Sequence, residues 1–357
     1  MILTIFIAFF SLIGLIVLHE FGHFILAKKF GIKVEEFGVG FPPRLFGKKL
    51  GETIYSLNLL PFGAFVKIHG EEGGIEDYRS FIGKPMWQRI LIVLGGVVSF
   101  WIISAIILSM VAGVWGLPTA VKDEEDHNLV NPRVQITALS PDSPAENASL
   151  KVGDTIVGFH KVKEVQEFIA ENQGKEITLT IKRGKEVFEK KMIPRVSPPE
   201  GEGAIGVGLT RVALKSYSWY QAPVQGVIAC GNLTFNIVWG WILGLKSVLG
   251  WAELPEGVEM RMVGPLGIFD LLREYFERGI YYFLFLVSVI SIALALVNIL
   301  PIPALDGGKL MFLAIEAVRK KPVNRKIEQH ITTIFFILLI TLMIFITIKF
   351  DIPRIFQ

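Results

Sequence analysis

Four long apolar runs dominate the pattern of hydrophobic and polar residues along the chain. They cover residues 2–27, 87–112, 281–303 and 331–349. Each is close to the roughly 20 residues that a helix needs to cross a bilayer. Runs of this length with so little charge predict membrane spans rather than core helices of a soluble protein. We therefore expect a multi-pass α-helical membrane protein with four transmembrane helices.

After the second run, short stretches in which apolar and polar residues alternate predict an inserted α/β domain at 113–200. Four stretches have the period of a strand and one has helical spacing. The predicted strands lie at 134–137, 155–159, 177–181 and 187–193, and the predicted helix lies at 162–172. A linker rich in Pro and Gly and an amphipathic membrane-surface region are expected at 201–280. The two flanking parts, 1–112 and 281–357, are expected to form the membrane body.

A weaker apolar stretch at 219–252 leaves two interpretations open. Polar residues interrupt it, and it contains several tryptophans. It is either a fifth span or an amphipathic segment on the outer membrane surface. We favour the surface segment, because one more span would reverse the direction of the later apolar run at 281–303 relative to the first.

Composition and charge narrow the class further. The chain is 52% hydrophobic and 19% charged, and its mean hydropathy is +0.52. A net charge of +3 is too small to predict nucleic-acid binding. The long apolar runs instead predict that membrane lipid surrounds the chain. Ten basic residues lie within 28–89 and six within 309–326. Because Lys and Arg favour the cytoplasmic side, both segments are predicted to be cytoplasmic and the inserted domain extracytoplasmic.

The first apolar run contains three ionisable residues, which are costly in a membrane helix and need a polar partner. They form the pattern H-E-x-x-H, with His19, Glu20 and His23. Residues four apart share one helix face, so both imidazoles can reach one Zn²⁺ at about 2.0–2.1 Å. Glu20 would then be the general base that takes a proton from the attacking water. The alternative, an accidental match on a packed helix, is disfavoured by the apolar surroundings.

A zinc protease site also needs a third protein ligand and an open fourth position. Asp306 is the candidate, because it follows the third apolar run within a segment that reads N-x-x-P-x-P-x-L-D-G from Asn298 to Gly307. Pro301 and Pro303 are expected to end the helix at membrane depth. Asp306 would then be free to face the metal.

The two motifs together resemble those of the site-2 proteases, which are intramembrane zinc metalloproteases. The resemblance is to the RseP (regulator of sigma-E protease) type and extends over nearly the whole chain. It implies zinc as the cofactor and the inner (plasma) membrane as the location. It also implies substrates that are single-pass transmembrane proteins, such as anti-sigma factors, or remnant signal peptides.

The resemblance implies further roles around the metal. A β-hairpin at 52–69 is predicted to enter the membrane beside the site, with strands at 54–60 and 64–68 around residues 61–63. An ordinary surface hairpin is the alternative. The substrate-binding residues implied by the family are Asn298, Phe65, Val66 and Lys67. For Asn298 the alternative is an interhelical hydrogen bond.

Other features place the chain within the family and mark its departures from it. The segments 143–145 and 150–156 are similar to a PDZ domain of the protease-associated kind. Where the family often has G-P-x-x-N, this chain has Gly95, Gly96 and Ser99, small residues that predict close helix packing. His69 is expected to be exposed to solvent rather than to bind metal.

We therefore predict a zinc metalloendopeptidase that cleaves transmembrane helices. The alternative is a membrane PDZ scaffold with a structural metal site, which would need a fourth protein ligand that the sequence does not suggest. A metal transporter is a third class. It would need polar positions in several spans, and the spans at 87–112 and 331–349 offer almost none.

Overall fold

The computed structural model describes residues 2–71, 77–125, 129–183, 186–199, 201–251, 262–321 and 323–355. The chain divides into two compact units. The first contains residues 1–108, 226–238 and 261–357, and the second contains residues 109–225 and 239–260. The first unit holds most of the membrane helices, and the second holds the inserted domain.

Within the described residues, five helices are long and apolar enough to cross a membrane. Four of them coincide with the predicted spans: α1 (Ile2–Lys29), α2 (Met86–Val114), α7 (Ile280–Ile299) and α9 (Arg325–Ile346). The fifth is α5 (Ala222–Val248), a continuous helix of 27 residues in the stretch for which we favoured a surface segment. Its length and composition permit a span, so the count of four stays a prediction.

One of the two buried apolar clusters of the first unit packs its membrane helices together. Helices α1, α2 and α7 contribute to it together with α6 (Pro265–Arg278), and its buried side chains are Ala8, Leu15, Val97, Phe100, Leu272, Phe283, Val287 and Ala295. The Ser291 hydroxyl of α7 donates a hydrogen bond of 2.8 Å to the Phe100 carbonyl of α2, which satisfies a polar group inside this core. The core fixes the helix that carries H-E-x-x-H against its neighbours.

Helices α1 and α2 approach each other at glycines. A Cβ atom on Gly22 would lie 2.2 Å from the carbonyl oxygen of Gly95, and one on Gly95 would lie 2.8 Å from the carbonyl oxygen of Gly22. Neither distance can be tolerated, so the approach requires glycine on both helices. The small residues predicted to pack in the second span therefore do so.

A sheet formed by β1 (Val34–Leu50) and β2 (Thr53–Ile68) lies beside the helices. Segment 64–68 pairs antiparallel with 34–39, and segment 53–58 pairs antiparallel with 44–50. Residues 36–39 also lie beside 54–57 with both numbers rising together, so these two segments run parallel. Each strand therefore contributes two pairing segments, and 64–68 lies at an outer edge.

The predicted hairpin is wrong in its pairing. Segments 54–60 and 64–68 are both extended, but 34–39 lies between them and the tight turn is at residues 51–52. The strand at 34–39 is hard to recognise in the sequence because it contains two adjacent glutamates and Gly38. That glycine is needed for packing, since a Cβ there would lie 2.4 Å from the Phe65 ring.

The inserted domain is an antiparallel sheet in the order β3-β8-β4-β5-β6-β7 with two short helices. Its elements are β3 (Leu117–Val121), β4 (Leu129–Leu139), α3 (Pro144–Asn147), β5 (Thr155–Ile156), α4 (Val162–Glu171), β6 (Ile177–Arg183), β7 (Glu186–Met192) and β8 (Val207–Lys215). Alternating residues such as Ile136 and Leu179 pack against Val165 and Ile169 of α4. The predicted helix and three of the predicted strands are confirmed, whereas the strand predicted at 155–159 covers only Thr155–Ile156.

Two strands of this sheet were not predicted. Strand β3 lies in the connection after α2, and β8 lies in the region that we assigned to a linker. Strand β8 pairs with both β3 and β4, so it is an interior strand. It starts after Gly206, whose φ of +70° favours glycine. In the first unit, α8 (Asp306–Arg319) follows α7, and α9 is followed by a π-helical turn (Thr347–Asp351) and α10 (Ile352–Ile355).

Replacing Gly22 with alanine is expected to separate α1 from α2 and to lower the free energy of unfolding by about 1–3 kcal/mol, the usual range for overpacking. The matched control is Gly14→Ala in the same helix, where a Cβ would meet nothing within 4 Å. That control should be neutral or slightly stabilising, since Ala favours helix over Gly by about 1 kcal/mol. Thermal unfolding in detergent tests both, and equal melting temperatures would contradict the glycine contact.

Candidate metal centre

His19, His23 and Asp306 come together in the first unit. The Nε2 atoms of both histidines lie 3.3 Å from Oδ2 of Asp306, and all three side chains are buried. Their ligand atoms lie within 4.8 Å of one another. The structure thus brings together the three residues predicted as metal ligands from motifs almost 290 residues apart.

The arrangement fits a tetrahedral zinc site. Ligand atoms at zinc–ligand distances of 2.0–2.1 Å and tetrahedral angles are about 3.3 Å apart. Nδ1 of His23 lies 2.8 Å from the Ile92 carbonyl, so Nδ1 carries the proton and Nε2 presents its lone pair. Oδ2 of Asp306 is buried and accepts no other hydrogen bond from the described residues. A cation bound by all three side chains would give these buried ligand atoms a polar partner.

Helix α2 gives the histidines their space. A Cβ atom on Gly96 would lie 2.2 Å from Nε2 of His23 and 2.7 Å from Cε1 of His19. The ring of Phe100 stacks on His19 with centroids 4.6 Å apart and planes inclined by 14°. Ser99 donates a hydrogen bond of 2.6 Å to the Gly96 carbonyl within its own helix. The glycine is thus part of the site, although the sequence predicted only packing for it.

Asp306 is positioned by the break between α7 and α8. Helix α7 ends at Ile299, where Leu300 takes an extended conformation before Pro301. The span therefore ends four residues earlier than the predicted 303. Behind Asp306, a Cβ on Gly307 would lie 2.0 Å from the Leu300 carbonyl oxygen, and one on Gly308 would lie 2.3 Å from that of Ile302. The two glycines let α8 start directly against the turn, with Asp306 as its first residue.

Glu20 lies between the metal ligands in sequence and contacts the sheet. Its Oε2 atom accepts a hydrogen bond of 3.1 Å from the backbone N–H of Val66. Val66 belongs to the outer segment 64–68, so this N–H points away from the sheet rather than into it. The edge strand and the candidate general base are therefore in direct contact.

The other residues implied as substrate contacts lie in different surroundings. Phe65 packs over Gly38, and Lys67 forms an ion pair of 3.3 Å with Glu35. The side-chain amide of Asn298 donates 2.9 Å to the Leu294 carbonyl of its own helix. No interhelical hydrogen bond of Asn298 is seen among the described residues.

A cavity of about 480 Å³, lined by both apolar and charged side chains, borders Val66 and Lys309. Lys309 lies one turn after Asp306 and forms an ion pair of 2.6 Å with Glu71, three residues beyond the end of the edge strand. The Glu71 carboxylate raises the pKa of Lys309. Arg89 of α2 donates to Glu316 of α8 through two hydrogen bonds of 2.8 and 3.1 Å on the same cavity wall. These pairs join α8 to α2 and to the segment that follows β2, and nothing in the sequence beyond the residue types indicates them.

His69 is not the exposed residue that we expected. Its side chain is only 11% exposed and lies between Glu35 and Asp77, with Nδ1–Oε1 at 2.7 Å and Nε2–Oδ2 at 3.2 Å. In the described part of the chain, it belongs to no group of at least three potential metal ligands. The hydrogen bond that the His69 ring donates to the Glu35 carboxylate raises the pKa of His69 above its usual value of 6.5. The imidazole thus links the start of β1 to the segment that follows β2.

A buried His–His–Asp set beside a carboxylate, in a bundle of apolar helices, defines a metalloprotease site within a membrane protein. Comparison with known proteins agrees with this class. The sequence profile of peptidase family M50 matches residues 7–342. The chain therefore belongs to this family, the site-2 proteases, and is a membrane zinc metalloprotease with zinc as its cofactor, as the two motifs implied.

Relatives match over almost the full chain. A Clostridium perfringens protein, provisionally named a zinc metalloprotease, is 33% identical over 94% of this chain and 95% of its own length. The regulator of sigma-W protease RasP of Bacillus subtilis is 28% identical over 98% of both chains. The zinc metalloprotease RasP of Geobacillus kaustophilus is 28% identical over 94% of both. A solved PDZ domain from Listeria monocytogenes matches 21% of this chain and 85% of its own length, at 22% identity and a TM-score of 0.19.

Replacing Gly96 with alanine is expected to push the two imidazoles out of position and to weaken zinc binding by about 10–100-fold, as for other changes that misorient metal ligands. Ser99→Ala is the matched control on the same helix, because the Ser99 hydroxyl bonds only to its own helix among the contacts described. Zinc content after dialysis against a graded chelator series measures the effect. Equal retention by the two variants would show that Gly96 does not shape the site.

The His69 contacts predict a pH dependence of stability. Because its folded-state pKa is raised, their contribution is complete below about pH 6.5 and is lost as pH rises through the raised value. The stability difference between wild type and His69→Gln should therefore shrink between about pH 6 and pH 8.5. Melting temperatures of both proteins across this range test it, and a difference that stays constant or grows would contradict the assignment.

Proposed function

We propose that His19, His23 and Asp306 hold the zinc ion and that Glu20 is the general base of an intramembrane endopeptidase. The observation that carries the proposal is the position of Asp306 Oδ2, which is 3.3 Å from Nε2 of each histidine. Three protein ligands leave one position for substrate or water, as catalytic zinc sites require.

Zinc, when bound, would polarise the scissile carbonyl and lower the pKa of a bound water towards neutral values. The protein supplies the remaining chemistry. Glu20 takes the proton from the attacking water and later gives it to the leaving amine. The Val66 N–H, 3.1 Å from Oε2, holds this carboxylate in place beside the ligands. The Ile92 carbonyl keeps the His23 ring in one orientation.

The substrate is a transmembrane helix that must unwind, because a peptide bond inside a helix is shielded by its own hydrogen bonds. We assign the outer segment 64–68 as the edge that receives the extended substrate by strand addition. Phe65, Val66 and Lys67 then contact the substrate strand, and the Asn298 side-chain oxygen accepts a substrate N–H. The location of Val66 at both the edge and the base supports this assignment.

Water is proposed to reach the metal site through the cavity that borders Val66 and Lys309. Its charged lining residues, including Lys309, Glu71, Arg89 and Glu316, favour hydration in an otherwise apolar bundle. The cavity is lined by residues on both segments that are rich in basic side chains. This supports a catalytic site that faces the cytoplasm and an inserted PDZ-like domain that is extracytoplasmic.

The substrates that we propose are single-pass membrane proteins, including anti-sigma factors, and remnant signal peptides. The name of the Bacillus subtilis relative, a regulator of sigma-W protease, supports a role in regulated intramembrane proteolysis. The competing function, a PDZ scaffold with a structural metal site, would need a fourth ligand. In the described part of the chain, the three residues form the only group of at least three potential ligands, and no fourth joins them.

Glu20→Gln is expected to retain about one zinc per chain and to lose cleavage by about 10²–10⁴-fold, the range for a general base. Zinc content and cleavage of a tagged transmembrane peptide in detergent would be measured together. The control is Glu167→Gln, an exposed residue of α4 in the inserted domain, which should cleave like wild type.

Full activity of Glu20→Gln would exclude the proposed base. Zinc in both variants without cleavage by the Glu167→Gln control or the wild type would favour the scaffold. Loss of zinc in His19→Ala, His23→Ala and Asp306→Ala, but not in Glu20→Gln, would separate the ligands from the base.

A further inference from the structure

The inserted domain has a strand in an unusual position. PDZ domains bind an extended peptide by adding it to a sheet edge beside a helix. Strand β8 would offer that edge next to α4, but β3 already occupies it: Leu117–Val121 pairs antiparallel with residues 215–211. The segment that follows the second membrane helix is thus built into the sheet as its outermost strand.

The chain beyond β3 is attached to α4. The carboxylate of Asp123 accepts hydrogen bonds from the backbone N–H groups of Val162 and Lys163, at 3.0 and 2.8 Å. These are the first amides of the helix, which lack partners within it. A carboxylate at this position is also favoured by the helix dipole. Asp123 therefore serves as a cap donated from outside the helix.

A buried arginine holds the same segment from the other side. Arg211 of β8 is only 3% exposed. It donates to the carbonyls of Lys122, Asp123 and Glu125 at 3.0, 3.3 and 2.7 Å, and to that of His160 at 2.8 Å. A buried guanidinium needs this many acceptors, so the segment is energetically coupled to the domain.

We propose that residues 117–125 are a built-in ligand of the groove between β8 and α4, and that a partner peptide binds there only by replacing β3. The β3 ladder ends at Arg211, and Val207–Thr210 at the start of β8 lie beyond it. A peptide that runs antiparallel to β8 and ends opposite Val207 reaches the position of Val121, opposite Arg211, four residues before its end. Longer peptides and β3 therefore exclude each other.

The occupant also indicates the chemistry of the partner. Leu117 and Val121 are buried, at 7% and 8% exposure, and Asp123 follows two residues later. A competing peptide is extended, carries apolar side chains four residues apart and has an acidic residue two positions after the second. Because β3 is tethered, its effective concentration is in the mM range, so free peptides compete poorly with the intact domain.

The test uses the full-length protein in detergent and a labelled peptide with the sequence of residues 117–125. A second peptide with Ala in place of Asp123 is its control. Fluorescence anisotropy measures binding to wild type, to Asp123→Ala and to a Thr119→Cys/Ala213→Cys variant. These two positions are direct partners in the ladder, at a spacing of about 4.5–5.5 Å that suits a disulfide. The native Cys230 is buried, and Thr119→Cys alone controls for it.

Asp123→Ala, whose own strand is loosened, should bind the peptide at least about tenfold more tightly than wild type. The oxidised double-cysteine variant should not bind it, and reduction should restore wild-type binding. The Ala-containing peptide should bind at least about tenfold more weakly to every variant. Equal binding by the oxidised and reduced forms, or no binding by Asp123→Ala, would overturn the proposal. Neither result depends on proteolysis, so this test is independent of the catalytic assignment.

Discussion

Burial of ionisable side chains in an apolar helix bundle is the constraint on which the rest of this structure depends. His19, His23 and Asp306 are buried, and a bilayer offers them no water in compensation. The shared divalent cation that we propose would resolve the conflict, because it would turn three unfavourable groups into ligands. The surrounding packing can then be understood as the means of bringing an N-terminal helix and a distant turn to within a few ångströms of one point.

That convergence is achieved mainly by residues without side chains. Gly22 and Gly95 bring two helices into backbone contact, Gly96 leaves room for the imidazoles, and Gly307 and Gly308 let a helix begin against the preceding turn. In lipid, where apolar association drives little, such close van der Waals contact is the main source of helix affinity. The catalytic geometry and the stability of the bundle are thus set by the same positions.

The parts of the fold that follow from local pattern were predictable. Long apolar runs identified the helices, and period-two alternation identified most strands of the inserted domain. The two motifs predicted the three residues, His19, His23 and Asp306, that the structure brings together. The pairing in the membrane sheet was not, because 34–39 separates two segments adjacent in sequence and its glutamates hide the strand. Likewise β8 follows a linker-like stretch, and its role depends on partners far along the chain. Ion pairs such as Lys309 with Glu71 are tertiary contacts that no periodicity records.

The hydrogen bond between Val66 and Glu20 has a consequence for the timing of catalysis. In the mechanism that we propose, the Val66 amide that holds the Glu20 carboxylate belongs to the strand edge that receives the substrate. One N–H cannot fully serve two acceptors, so arrival of an extended polypeptide and release of the base are competing demands on a single group. In this mechanism, the hydrogen bond from Val66 restrains Glu20 in the resting enzyme. The arriving substrate then removes the restraint. Recognition and chemical readiness are in this way the same event.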